Sequence, residues 1–587
     1  MSRRLAFGLI TLLALAMFAR PLFRGEVLTF RDHSDYFQPL RFFTADEVRH
    51  FRLPLWNPYN ASGEPWLANP QTGLFYPPAW IFLFLPFPAA YVLYLCLHVA
   101  LLGCGAFLLF SRFGSPRGAF IGGVMLMLCG PTMSMVDVSN NLTTFAWIPL
   151  VLWCAMADVS AAASGAAIAM SFLAGEPFFA AMGAVMFVLS RVTGSRLPVP
   201  GQPATGNWQP ILDTAITAFC LAGIQLIPFL AIIAGSDRAT GVAREEVLRD
   251  SMSLGDWLRV IVPSGTTHQQ FIPTVYMGIV AVVLAIVGIT ARAARPWVAL
   301  LIASVVVSLG GDLLAKLPLT IFRYPARVVP LGALAIVAMA VLGWERAQRF
   351  VPFFWFPMIV VALIIADLVP RIAPLLESTP FDAHPIRWAR NIGRDGKIAR
   401  MMPPEMVGFD RRAWIAGYLN LFDHRFDAWT AAPMVSQSYT HAYVDAFRHH
   451  DLLDRMSIAY ILVNTPGGVV THRNSTALPM AYFRDAAGHI GSATLLACTT
   501  SAVHVWIVAP SDGIVVVTQQ DAPGWSVEVD GVEASGERDG VFRAVRVRRG
   551  NHKISWRYRP ASLMIGSALT IIAIARMLLW RSFVKRK

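Results

Sequence analysis

Apolar runs of about 17–25 residues, the length that crosses a bilayer as a helix, recur along most of this chain. They lie near 5–23, 90–111, 118–136, 142–158, 162–174, 177–190, 211–234, 273–291, 297–313, 327–344, 352–371 and 562–580. Of the 587 residues, 55% are hydrophobic and 14% charged. Average soluble domains carry about 25% charge, so a soluble enzyme and a disordered chain are both excluded. The expectation is a polytopic α-helical membrane protein of eleven or twelve spans. The fifth and sixth runs are short and flank Gly175-Glu176-Pro177, so one broken hairpin is an alternative there. The first run follows Arg3-Arg4 like a signal peptide, yet it continues through Pro21 to Phe23, which favours a retained helix.

The net charge of +13 is spread beside the apolar runs rather than gathered in one patch, which points to lipid headgroups and orientation, not nucleic acid. Arg3/Arg4, Arg112/Arg117, Arg191/Arg196, Arg292/Arg295, Arg346/Arg349, Arg581 and Lys585-Arg586-Lys587 fall in alternate connections. With twelve spans these share one side, so both termini are expected in the cytoplasm. The loop 24–78, the link 137–142, the Gly-Glu-Pro break, the loop 235–272, the segment 312–326 and the block 372–561 then share the outer face. No GxxxxGK[ST] or strand-borne GxGxxG is present, and no cytoplasmic loop is long enough to hold a nucleotide. The six cysteines lack the spacing of a zinc site or a disulfide framework.

Four regions follow: 1–371, a transmembrane module of about eleven spans with the outer loop 24–78; 372–497, mixed α/β; 498–561, β-sandwich-like; and 562–587, a last helix with a basic tail. The sandwich expectation rests on the alternation of Ile554, Trp556 and Tyr558 with polar residues. It also rests on hairpin signals at Asp530-Gly531 and Arg549-Gly550-Asn551.

The first loop is dense in Trp, Tyr and Pro, which suits an ordered loop at the membrane surface. Asp32 and Asp35 lie just outside the first span, where a carboxylate can take a proton from a hydroxyl or hold a divalent cation. Equally, they can balance Arg31 and Arg41 in a solvated loop. Asp137 ends the third span, either as a helix cap or as a functional acid. Glu176 sits at a membrane break, where carboxylates usually line a cavity. Arg323 and Arg327, four apart, can face one way and clamp a lipid phosphate, or snorkel to headgroups. His98 and Gln225 read as packing residues, and Cys498 as a buried thiol.

Pro54-Leu55-Trp56-Asn57-Pro58-Tyr59, Gly63-x-Pro65, Asn69-Pro70-Gln71 and Phe75-Tyr76-Pro77-Pro78 resemble the first loop of the YfhO-like bacterial membrane proteins. Phe322-Arg323-Tyr324-Pro325-Ala326-Arg327 and the tail Pro523-Gly524-Trp525, Val529-Asp530-Gly531, Gly550-Asn551-His552 and Tyr558-Arg559-Pro560 carry the same resemblance. It covers nearly the whole chain and is weak across 372–497. It implies a GT-C-like fold in the bacterial inner membrane. It further implies a glycosyltransferase that moves sugar from a polyprenyl-phosphate carrier to an outer-face envelope acceptor. On that implication Asp35, or else Asp32, takes the catalytic position, and Asp137 is a candidate second acidic motif. No cofactor is required by the pattern; a divalent cation, Mg or Mn, is the candidate if one is used. A flippase for a lipid-linked saccharide and a non-catalytic envelope-assembly factor remain alternative functions.

The charge parity makes a direct prediction. Reporters fused after Arg117, Arg196 and Arg295 should read cytoplasmic, and reporters within 380–550 extracytoplasmic. The opposite reading within 380–550 overturns the twelve-span topology.

Overall fold

The computed structural model describes residues 1–193, 208–236, 238–239, 241, 243–263, 271–311, 323–350, 353, 355–384, 392–401, 414–432, 434–465 and 468–584. Arg196, Phe322, most of the segment 312–326 and Lys585-Arg586-Lys587 lie outside the described residues.

Each apolar run carries helix, and the chain is an α-helical multi-pass membrane protein. Among the described residues five helices are individually long and apolar enough to cross: Phe87–Phe110, Gln209–Ile233, Pro325–Ala347, Phe356–Leu376 and Ala561–Leu579. Ile279–Gly288 and Arg292–Ser308 meet that standard together but bend by 117°. Other runs are interrupted where proline removes a helix hydrogen bond. The run at 118–136 divides into Pro116–Leu128 and Gly130–Met133, with Pro131 opening the second piece. The run at 142–158 divides into Ser139–Phe145 and Ile148–Met156 around Pro149. Ala161–Leu173 and Pro177–Val192 are separate helices joined through Gly175, whose φ of +116° suits only glycine.

Helix Pro325–Ala347 is the hub, with 94% of its apolar window buried, whereas 11% of Ala561–Leu579 is buried. Small residues let the helices approach closely. A Cβ on Gly343 would fall on the Leu284 carbonyl, and one on Gly288 on the Met339 carbonyl. Gly223 and Gly566 play the same part between Gln209–Ile233 and the last helix.

The connections sort to two ends. At one end Ser115 donates from N–H and Oγ to Glu345 (2.8 and 2.6 Å), and Arg346 donates to the Val287 carbonyl (2.7 Å). At the other, Glu26–Leu28 pairs antiparallel with Ser378–Pro380, and Gln225 donates to the Leu67 carbonyl at 2.7 Å. The first loop and the 372–561 block therefore share the domain end.

Within that block, Lys397–Met401 and Ile458–Thr465 pair in parallel, and Gly468–Arg473 adds antiparallel. Two five-stranded sheets follow. One runs Gly536–Asp539, Phe542–Val547, Gly513–Gln520, Ala481–Asp485, Ile490–Ser492. The other runs Val532–Ala534, Trp525–Val529, Gly550–Tyr558, Ala502–Ala509, Thr494–Cys498. Val505, Ile507, Val515, Val517, Val545 and Trp556 pack between them. The sandwich thus begins at Ala481, not at residue 498 as the sequence suggested. Asp530 and Gly531 both have positive φ, as a two-residue hairpin requires, and they join two paired strands. The turn at Arg549-Gly550 instead carries the chain from one sheet to the other.

Because Gly343 abuts backbone, Gly343→Val forces the helices apart. Its apparent thermal midpoint in detergent should fall clearly, in line with an overpacking penalty of about 1–3 kcal/mol. Gly8, with open space around its Cβ position, should accept Ala without loss.

Candidate active site

Arg31, at φ +48°, turns the chain out of the first strand, and residues His33–Phe37 form a single π-helical turn ahead of helix Gln38–Arg49. Such turns are rare and concentrate at functional sites. This one buries His33, Asp35 and Phe37 and leaves Asp32 half-buried. His33 Nδ1 bonds the Tyr91 hydroxyl at 2.7 Å, and burial pushes the imidazole down to about 3, so it is neutral. The Asp35 carbonyl accepts the Tyr418 N–H at 2.7 Å. Gly417 lies so close that any Cβ there would strike that carbonyl. The 372–561 block therefore clamps the turn that carries Asp35.

Asp137 lies just ahead of helix Ser139–Phe145 and is 2% exposed. Arg31 Nε stands 3.0 Å from its Oδ2. Burial pushes Asp137 up to about 8, against the pull of Arg31 and with a push from the neighbouring Asp32. Apart from the Arg31 ion pair and nearby backbone N–H groups, no side chain among the described residues hydrogen-bonds either carboxylate oxygen. Ser139 Oγ, Asn140 Oδ1 and both polar side-chain atoms of Asn141 are likewise buried without a protein partner. Such a concentration of unmatched polar atoms is costly unless water or a polar ligand satisfies it.

Next to it, a cavity of about 130 Å³ is lined by Gln71, Glu176, Arg238, Arg323 and Arg327 among others. Glu176 caps helix Pro177–Val192 by accepting the Phe178 N–H at 3.3 Å. It also accepts from Asn140 and from Arg327, each at 3.0 Å. Arg323 donates to Glu246 at 2.6 Å. The two arginines do not project from one helical face as their spacing suggested. Tyr324 between them has φ +64°, and a 3₁₀ turn, Pro325–Val328, starts only after it. They reach one cavity around a bend. Arg238, buried on the loop after helix Gln209–Ile233, was not singled out by the sequence; its position just past a span is the signal available.

Asp35 does not line this cavity; its neighbour Tyr36 reaches it by donating to Gln71 Oε1. Among the described residues one trio of ligand atoms lies close enough to share an ion: Asp46, Glu47 and His424. Glu47 is bound by Arg52 at 2.9 Å, and Asp46 lies near His50. Asp32, Asp35 and Asp137 do not converge in that way, so they do not form a ready cation cage. His98 bonds the Tyr76 hydroxyl and the Tyr94 carbonyl, both at 2.6 Å, and is a packing residue.

No family model and no curated protein matches the chain. Among solved structures, the cryo-EM structure of arabinofuranosyltransferase AftD from Mycobacteria superposes with a TM-score of 0.53 at 13% identity. That match covers 95% of this chain and 57% of AftD, so the chain spans little more than half of that protein. A mutant form of AftD gives 0.52 at 12% identity, covering 95% of this chain and 60% of AftD. The fold is GT-C-like. The archaeal oligosaccharyltransferase AglB from Archaeoglobus fulgidus gives a TM-score of 0.44 at 10% identity, with 81% of this chain and 75% of AglB covered.

In this GT-C-like frame, Glu64 braces the turn from behind. It accepts from Thr430 (2.8 Å), Asn57 (2.9 Å) and Tyr418 (3.2 Å), and burial pushes its carboxyl up to about 7. The native state then holds this proton more tightly than the unfolded chain. Its contribution to stability is fully present below the unfolded value near 4.5 and is lost as pH rises through about 7. Glu64→Gln should flatten that part of the pH profile of the thermal midpoint. An unchanged slope assigns the dependence to other groups.

Proposed function

We propose that the chain is a membrane glycosyltransferase that moves a sugar from a polyprenyl-phosphate carrier to an extracytoplasmic envelope acceptor. The observation that carries this reading is the convergence of Arg238, Arg323 and Arg327 on one small cavity beside the buried acids of the domain end. The GT-C-like fold and the YfhO-like motifs support it. Localisation in the bacterial inner membrane, with both termini cytoplasmic and the domain end outside, belongs to the same proposal.

The carrier enters from the bilayer, and its phosphate lies against the arginines, exchanging for the carboxylates of Glu176 and Glu246. The acceptor hydroxyl oxygen attacks the anomeric carbon as the bond from that carbon to the phosphate oxygen breaks. Asp35, or Asp32 at the start of the same turn, takes the hydroxyl proton. Polyprenyl phosphate leaves with the bond's electron pair, its charge stabilised by the arginines. Displacement in one step inverts the anomeric carbon. Asp137 holds Arg31, and Glu176 orients Arg327. A divalent cation, where one is used, would be held by the Asp137 carboxylate, and no step depends on it.

The test follows labelled sugar from polyprenyl phosphate into an outer-face acceptor in vesicles. Asp35→Asn keeps the shape but not the base, and transfer should fall by about 10²–10⁴-fold with carrier binding little changed. The double variant Arg323→Gln/Arg327→Gln should weaken carrier binding, each lost contact being worth about 1.5–3 kcal/mol. Full transfer by both Asp35→Asn and Asp32→Asn would remove the first loop from the chemistry and put the flippase reading ahead.

A further inference from the structure

A second, larger cavity of about 690 Å³ lies on another face of the same helix end. Its walls come from chain segments far apart in sequence: Trp56 and Leu67 of the first loop, Pro228 and Ile232 of helix Gln209–Ile233, and Gly524 and Tyr558 of the sandwich. Several of the residues that carry the sequence resemblance meet here rather than at the arginines. The lining is mainly apolar, and the volume suits one ligand of modest size.

The walls are held open by buried bonds. Gln520 Nε2 donates to the carbonyls of Ala61 (2.6 Å) and Gly63 (2.9 Å), and Trp56 Nε1 donates to Gln519 at 3.2 Å. Gln225 fixes Leu67 to the helix at 2.7 Å. Gly524, at φ +106°, packs against Pro560, where a Cβ would lie 2.8 Å from the proline Cα. Below the cavity the Gly223–Gly566 contact closes the two helices together.

Its surroundings identify an occupant. The rim is made by the outer ends of two membrane helices, and their adjacent outward residues Leu230, Met564 and Ile565 are exposed apolar side chains that only a bilayer covers. Arg559, also in the lining, is exposed, and its guanidinium has no hydrogen bond or ion pair among the described residues, whereas the acids of the lining are engaged, Glu64 by Thr430, Asn57 and Tyr418 and Asp521 by Arg538. Apolar walls open to lipid, with one uncommitted cation at the rim, match an anionic amphiphile. We infer that this cavity binds an anionic membrane phospholipid, with an acyl chain between the first loop and the helix end and its phosphate at Arg559. The site is separate from the proposed carrier site and does not depend on glycosyl transfer.

The full-length protein is reconstituted in phosphatidylethanolamine vesicles containing phosphatidylglycerol with a diazirine on its acyl chain. Photolysis should label residues 228–236 and 558–562, and unlabelled phosphatidylglycerol should compete where phosphatidylcholine does not. Arg559→Gln should lower that labelling about threefold, the scale of one exposed charge contact. Ser562→Leu, which fills the cavity from the helix start, should abolish it while the outward residues Met564 and Ile565 stay labelled. Ala231→Leu serves the same purpose if Ser562→Leu is not recovered folded. Labelling confined to outward helix faces, cavity labelling that survives the filling variants, or equal competition by phosphatidylcholine would each overturn the inference.

Discussion

Backbone N–H and C=O groups at a membrane surface must find partners where water is scarce, and the first loop has more such groups than its own short turns can satisfy. It obtains partners from the block that follows 300 residues later in the chain. Trp56 donates its N–H to Thr500, Ala61 to Trp429, and the Tyr59 carbonyl accepts from Asp427. The residues Ala61, Ser62 and Gly63 all adopt positive φ, a conformation that two non-glycine residues hold only because the surroundings fix it. Everything at the domain end depends on this exchange, because the turn bearing Asp35 is pressed into place from the same block.

The charged groups obey a related rule. A buried ion without a counterion is expensive, and three arginines near the cavity already have acidic neighbours: Arg31 with Asp137, Arg327 with Glu176, Arg323 with Glu246. An incoming anion therefore replaces one partner with another rather than meeting a bare cation. That lowers the gross attraction but keeps the guanidinium groups oriented while no ligand is bound. The rings of Phe178, Phe271 and Tyr324 around Arg327, each within 6 Å, serve the same end.

Membrane character was legible because apolar runs survive any rearrangement of the helices. The alternation of Ile554, Trp556 and Tyr558 was legible because one side of that strand faces solvent. Ala481–Asp485 and Gly513–Gln520 were not, and the reason is that both of their faces are covered. Ala481, Phe483, Val515 and Val517 point into the sandwich, whereas Tyr482 and Val516 pack with the helices of the preceding region. A strand buried on both sides loses the period of two. At the candidate site, Glu176, Arg323 and Arg327 were legible as charges out of place at a membrane edge. Their mutual geometry was not, since the bend at Tyr324 leaves no mark in spacing. The Arg31–Asp137 pair joins residues more than a hundred positions apart and has no local signature.

Helix Phe356–Ile372 delivers the chain into the 372–561 block, and strand Gly550–Tyr558 returns it directly into the last helix through Pro560. The block is thus moored at both ends in the same membrane, and its middle is stitched to the first loop. An insert fastened this way cannot swing aside like a lid on a single hinge. Under the proposed function, traffic to the buried acids would pass through gaps between fixed walls: a hydrophobic carrier sideways from the bilayer, a water-soluble acceptor along the seam beneath the sandwich. Selection among candidate substrates then becomes a matter of the width and lining of those gaps, set when the protein folds and not when it meets its ligand.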